Sequence, residues 1–248
     1  MEKLANTFQK VCKNVIDKNM NILRDDEKKL AKNAKILPIL CPDQVVAQLQ
    51  YTNNGVFDMK KYCETKHERG WITFKRKPIK ELLDNKKYIV IVLESPHIDE
   101  FKDECALGPA YGKTGENINI YLPHILKIAH DKSVLKLEVG IYDVILVNAI
   151  QYQCSMGIKT KIYRDKVFQE CWGQEETRTN FYERMKKISL AKEVVIINCC
   201  TKGDNKVKNY ELVERELRKF NSIVYRCAHP SSWMSPRNRN INVVEVGN

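Results

Sequence analysis

The chain has 248 residues, with 42 Lys and Arg against 31 Asp and Glu, and a formal net charge of +11. This length suits one large domain with its own hydrophobic core, and the charge favours a polyanionic partner such as nucleic acid. The longest apolar runs are far too short to span a bilayer, and nine cysteines without regular spacing or a CxxC pair exclude a disulfide framework and the usual zinc or iron–sulfur signatures.

The first residues, Met1 to Asn6, lack the apolar core of a signal peptide, so a soluble, cytoplasmic protein is expected. Leu4, Phe8, Val11 and Val15, with Cys12 and Ile16 beside them, form one helical stripe. Pro38 and Pro42 interrupt the next stretch, and a short helix is expected around Asp43 to Gln50. Residues 52–87 read as charged and irregular, with Trp71 and Phe74 among Lys75, Arg76 and Lys77; a loop anchored by a buried Trp is the simplest account. Residues 1–87 carry 19 basic and 11 acidic groups and residues 88–248 carry 23 and 20, so the excess concentrates in the first third. That third is expected to be a basic, mainly helical extension packed on a core domain at 88–248.

From Tyr88 the pattern changes. Tyr88 to Leu93 is a continuous apolar run rich in β-branched residues, which predicts a strand buried on both faces. Ile118, Tyr121, Leu122, Ile125, Ile128 and Ala129 follow at helical spacing. A strand at Tyr142–Ala149, a helix near Phe181–Ala191 and a strand at Glu193–Cys199 come next. Val207, Tyr210, Val213, Leu217 and Phe220 share a helix face, Ser222–Arg226 forms another strand, and Val243–Val246 adds an edge. This alternation predicts an α/β fold: an open, mostly parallel sheet of four strands or slightly more, with helices on both faces. Ligands of such sheets bind outside the C-terminal ends of the strands. Of the four strand ends, three hold unusual polar sequence: Glu94-Ser95-Pro96-His97, Asn148-Ala149-Ile150-Gln151 and His229-Pro230-Ser231-Ser232-Trp233.

Each candidate has a plain structural alternative. Glu94, at the mouth of a buried strand, is costly unless paired or used, and a salt bridge to a neighbouring loop would suffice. Asn148 can satisfy a loop, and His229 can be structural. Gly108 to Gly115 contains Gly112-Lys113-Thr114, but a P-loop needs glycine where Leu107 stands and a strand immediately before it. The segment is expected to open a helix, with its backbone N–H groups facing a phosphate or base, or to be a tight turn. A Gly-x-Ser-x-Gly elbow and a zinc-deaminase signature are both missing.

Taken in order, these segments resemble the uracil-DNA glycosylase superfamily. Val92-Leu-Glu-Ser-Pro-His97 is similar to its first motif, and Gly108–Gly115 to the Gly-rich segment that follows, especially in the Glu-Ala-Pro-Gly branch. Val144 to Ala149 resembles the strand ending in the base-reading Asn, and His229 to Trp233 the loop carrying the catalytic His and a minor-groove wedge. The resemblance covers residues 88 to about 240, without that branch's iron–sulfur cysteines. It implies that Glu94 positions water and stabilises a cationic sugar, that Asn148 reads a flipped base, and that His229 donates to the base oxygen that gains charge. It also implies that Pro230 and Ser231 grip phosphates, that Trp233 with Met234 forms the wedge, that Tyr111 is a stacking platform, and that Lys113, Arg237 and Arg239 meet DNA. Ser95 departs from the best-known branch, which has its catalytic Asp there, and His97 replaces a Tyr that excludes thymine.

The expected activity is excision of a modified or damaged pyrimidine from DNA, with repair of plain uracil as the alternative; attack on foreign DNA with hypermodified bases would fit the uncommon pocket and the extra basic region. No cofactor, metal or obligatory protein partner is expected; DNA, single- or double-stranded, is the expected partner. A catalytically silent nucleic-acid-binding module and a hydrolase of free nucleosides or nucleotides remain open.

Overall fold

The computed structural model describes residues 2–33, 38–55, 57–61, 64–66, 72–74, 77–78, 85–155, 163–203, 206–220 and 222–244. Helix α1 (Glu2–Asn19) forms along the N-terminal apolar stripe, and Phe8, Val11, Cys12, Val15 and Ile16 are all buried. In the first turn of α2 (Asp25–Asn33), Asp25, Asp26 and Glu27 meet the positive end of the helix dipole, and Glu27 accepts from the Arg24 N–H at 2.9 Å.

The segment after Pro42 corrects the sequence reading. Instead of a helix over Asp43–Gln50, Gln44–Tyr51 forms strand β1, which pairs antiparallel with β2 (Phe57–Lys61) on one side. The physical reason is a register shift between Val45 and Ala47: Val46, at the shift, and Ala47 next to it are both buried, and the buried positions then continue at Leu49 and Tyr51. This break in the alternation hides the period of two that would mark a strand. Residues 52–87 also hold short strands, β3 (Glu64–Lys66), β4 (Ile72–Phe74) and β5 (Lys77–Pro78). Trp71 lies outside the described residues.

Strand β6 (Lys87–Leu93) stands at the centre of the sheet, and β7 (Phe101–Lys102) and β8 (Cys105–Ala106) form a small hairpin beyond it. Helix α3 (Lys113–Asp131) leads to β9 (Gly140–Asn148). Helices α4 (Asp165–Trp172) and α5 (Glu175–Ser189) precede β10 (Glu193–Asn198), and α6 (Asn209–Leu217) precedes β11 (Val224–Arg226) and β12 (Asn242–Val243). The sheet runs β12-β11-β10-β6-β9-β1-β2, with β5 also pairing β1. Strands β11, β10, β6 and β9 are parallel; β12, β1 and β2 are antiparallel additions at the two sides. The fold is thus α/β with helices on both faces, and the N-terminal third supplies three of its strands, β1, β2 and β5.

Strand β6 shows why the sheet is buried on both sides. Tyr88, Val90 and Val92 enter a core with α1, α4, α5 and α6, whereas Ile89, Ile91 and Leu93 enter a second core with α3. Full burial of each such side chain contributes roughly 1.5–3 kcal/mol, enough to fix which residues lie in the sheet and which emerge at its end. The first to emerge is Glu94.

Candidate active site

The strand ends stay bonded beyond their last regular pairs, so the loops that follow them start in register. Ala149 N–H donates to Leu93 O (2.7 Å), Ile150 N–H to Glu94 O (2.9 Å), Cys199 N–H to Val92 O (2.8 Å) and Cys227 N–H to Asn198 O (3.0 Å). Glu94 is only 2% exposed. Its Oε2 accepts from both the Thr201 N–H, at 3.0 Å, and the Thr201 hydroxyl. Its Oε1 faces Arg164 Nε at 3.0 Å but off the N–H line, and so has no hydrogen bond.

Arg164 Nε also donates to Asp165 Oδ1 at 2.7 Å, so one guanidinium serves two buried carboxylates. Burial pushes the Asp165 carboxyl above the usual range, with Arg164 pulling the other way. Asn209 bridges the group, with Nδ2 at 3.5 Å from Glu94 Oε2 and 3.4 Å from Asp165 Oδ1. Asn209 in turn depends on Gly203. At φ +71°, a Cβ on that glycine would lie 2.6 Å from Asn209 Oδ1.

His229 is partly buried, on the loop after β11. Its Nδ1 accepts from the Ser231 N–H at 3.3 Å and lies 2.8 Å from the Ser231 hydroxyl. A ring nitrogen that accepts a backbone N–H carries no proton itself, which leaves Nε2–H as the donor of the neutral ring. Burial first, then the charges of Arg164 and His97, depress its pKa to about 4. Glu94 follows β6 and His229 lies just beyond β11, so the two expected catalytic residues emerge at the same edge of the sheet with β10 between their strands. Buried Asn117 of α3 holds the His229 loop from below by donating to Pro230 O at 2.8 Å.

Asn148 occupies the neighbouring strand end, in register with Leu93, and is buried. Its Nδ2 meets Cys41 Sγ at 3.9 Å, its Oδ1 has no partner, and its backbone O accepts from Arg184, which is itself paired with Asp43 at 2.6 Å. Of the remaining residues of the first motif, Ser95 is half-buried and His97 lies at the surface, capping a short turn by accepting from the Asp99 N–H. Tyr111 is half-buried in the Gly-rich turn, which ends at Gly112, and α3 begins at Lys113.

Two DNA contacts expected from the sequence need correction. Trp233 is 1% exposed, donates from Nε1 to Ala228 O at 2.7 Å and belongs to the core under α3; it anchors its loop instead of acting as a wedge. Arg239 is half-buried and committed to its own loop: it donates to Trp233 O (2.5 Å) and Met234 O (2.9 Å) and stacks on Tyr121 at 3.9 Å. Lys113 pairs with Glu116 one turn along α3 at 2.6 Å and keeps part of its side chain exposed. Exposed on the same surface are Ser231, Arg237 and Met234, the last at 59%. The large apolar side chain that reaches solvent beside the His229 loop is therefore Met234.

Comparison of the chain with known protein families, with curated proteins and with solved structures finds no match.

Sequence reasoning missed Arg164, Asp165, Thr201, Asn209 and Cys41. The one signal for Thr201 was the crevice rule, which names the end of β10 as the fourth place to look. Among the described residues, no cluster of three or more His, Cys, Asp or Glu stands close enough to hold a metal ion, and no helix is long and apolar enough to cross a membrane.

Proposed function

We propose that the protein is a DNA glycosylase, which turns a modified or damaged pyrimidine out of DNA and hydrolyses its N-glycosidic bond to leave an abasic site. The observation that carries this reading is that a buried carboxylate, Glu94, paired with Arg164, and an imidazole, His229, whose Nδ1 is occupied by Ser231, emerge at the same C-terminal edge of a parallel sheet. Cleavage of the bond leaves positive charge on the sugar and negative charge on the departing base. Glu94 supplies the anion for the first and His229 Nε2–H the fixed donor for the second. Water then adds to the sugar carbon, and its proton leaves by way of Glu94 or the base. The unpaired Oδ1 of Asn148 offers an acceptor to the edge of a flipped base.

His97 supports a substrate other than plain uracil, because an imidazole near His229 can bond to a substituent that uracil lacks. A modified base of foreign DNA is the substrate class that suits it. Met234, on a loop braced by Trp233 and Arg239, takes the wedge role in this reading, and Arg237 the phosphate contact.

The test is to incubate the protein with single- and double-stranded oligonucleotides bearing uracil, 5-substituted cytosines and oxidised pyrimidines, and to score alkali-labile abasic sites. Release of one modified base, lost in Glu94→Gln and His229→Ala, is the expected result. Activity on free nucleosides alone would favour the nucleoside hydrolase, the reading helped by the commitment of Trp233 and Arg239 to the fold. Inactivity on all of these substrates overturns the enzyme reading.

A further inference from the structure

Arg164 is more than a counterion. Its Nε edge is taken by Asp165 at 2.7 Å and by Glu94 at 3.0 Å, and those two side chains are 0% and 3% exposed. The Arg164 side chain itself is 25% exposed. Neither terminal nitrogen donates to a described group, and neither is among the buried polar atoms that lack a partner, so both reach solvent. The guanidinium is therefore clamped along one edge and open along the other. A planar fork with two parallel N–H groups matches the oxygens of a phosphate bidentately, and a fork that is already fixed loses little side-chain entropy on binding.

We infer that Arg164 is an anion-binding residue whose terminal nitrogens take a substrate phosphate beside the Glu94–His229 centre. The glycosylase reading enters only in naming the source of that phosphate, which is the phosphodiester flanking the flipped nucleotide. Asp165 and Glu94 hold the fork in place, and Asn209 and Thr201 hold the carboxylates. This division of labour explains why a carboxylate as buried as Asp165, with Oδ2 left unpaired, is retained so close to the reacting groups.

The test has two arms. In the first, the full-length protein is titrated with inorganic phosphate or with deoxycytidine monophosphate while the His229 ring resonances are followed by NMR. Phosphate is expected to shift them in the wild type and to leave them unmoved in Arg164→Gln and Arg164→Lys. The lysine variant keeps a cation between the two carboxylates, and a melting curve close to wild type shows that the loss is not unfolding. In the second arm, duplexes carrying a stable abasic analogue have one flanking phosphate replaced by a methylphosphonate. Wild-type affinity is expected to fall about tenfold for one of the two positions, the scale of one charge-assisted hydrogen bond, with no further fall in Arg164→Lys.

A response to the monophosphate with indifference to the methylphosphonate supports the anion site and assigns it to a free nucleotide, at the expense of the DNA reading. Equal His229 shifts in wild type and variants overturn the inference. So does base excision that is insensitive to both the methylphosphonate and Arg164→Lys, and in that case the glycosylase reading stands.

Discussion

At the N-terminal ends of the parallel strands, charges are paired as they would be on any stable surface. Lys86 meets Asp143 at 2.7 Å, Lys87 meets Glu138 at 2.9 Å and Glu193 at 3.0 Å, and the Tyr142 hydroxyl donates to Glu193 at 2.7 Å. At the C-terminal ends of the same strands, Glu94 Oε1, Asn148 Oδ1 and, from the adjoining helices, Asn117 Oδ1 and Asp165 Oδ2 are buried without a hydrogen bond. Leaving a buried polar atom unpaired costs roughly 1–3 kcal/mol. Among the described residues one such atom, Glu193 Oε2, lies at the first end against four at the second, so the second end stands to gain more from a ligand that supplies the missing partners.

The comparison is broken most directly by substitution at both ends. Glu94→Gln and His229→Ala are each expected to slow base excision about 10³-fold, because they remove charge stabilisation from the reacting groups, and Glu94→Gln, which breaks a buried ion pair with Arg164, also lowers the melting temperature. Glu193→Gln at the opposite end should cost stability and leave the excision rate alone. Equal activity losses at the two ends would erase the distinction.

Arg184→Ala removes the partner of Asp43 and two bonds to the carbonyls that hold Asn148 and Ala149. A loss of about 3–5 kcal/mol is expected in urea unfolding, as for one member of a buried ion pair. Trp233→Ala should cost a similar amount, about 3–5 kcal/mol, by opening a cavity under α3.

Met234→Ala gives a smaller and opposite signature: stability within about 0.5 kcal/mol of wild type, with a roughly tenfold weaker action on duplex DNA and little change on single strands, where less unstacking is required. The smallest effect lies in pH. With the folded pKa of His229 lowered to about 4, its neutral, Nε2-donating form persists well below the ordinary histidine range. The acid limb of the rate profile should therefore fall near pH 4. Arg164→Lys keeps the charge and should leave that limb in place, whereas Arg164→Gln removes it and should move the limb upward.

Most of the parallel sheet was legible, because β6, β9 and β10 carry long apolar runs, broken in β9 only by Asp143, and α3 and α6 carry a clear helical period. Strand β1 was not, because its bulge at Val46 breaks the alternation and its glutamines mask the rest. Helix α4 is only eight residues long, too short for its period to stand out. Within the site, Glu94, Asn148 and His229 could be named because each follows a recognisable strand. Thr201 lies 107 positions from Glu94, and such pairings are set by topology, which local pattern does not encode. Trp233 was misjudged because it stands among serines and beside an exposed Met234, while the residues that bury it come from α3 and from the strands of the second core.

The place of β1 between β2 and β9 also matters during synthesis. Its hairpin partner is made within a few residues, but its partner on the other side ends only at Asn148. At 5–20 residues per second, a growing chain carries that hairpin with one bonding edge bare for roughly 5–20 s. An uncovered strand edge invites pairing with another chain. Fragments that stop short of β9 should therefore aggregate on the ribosome or soon after release, and the first chain length that stays soluble should include residue 148.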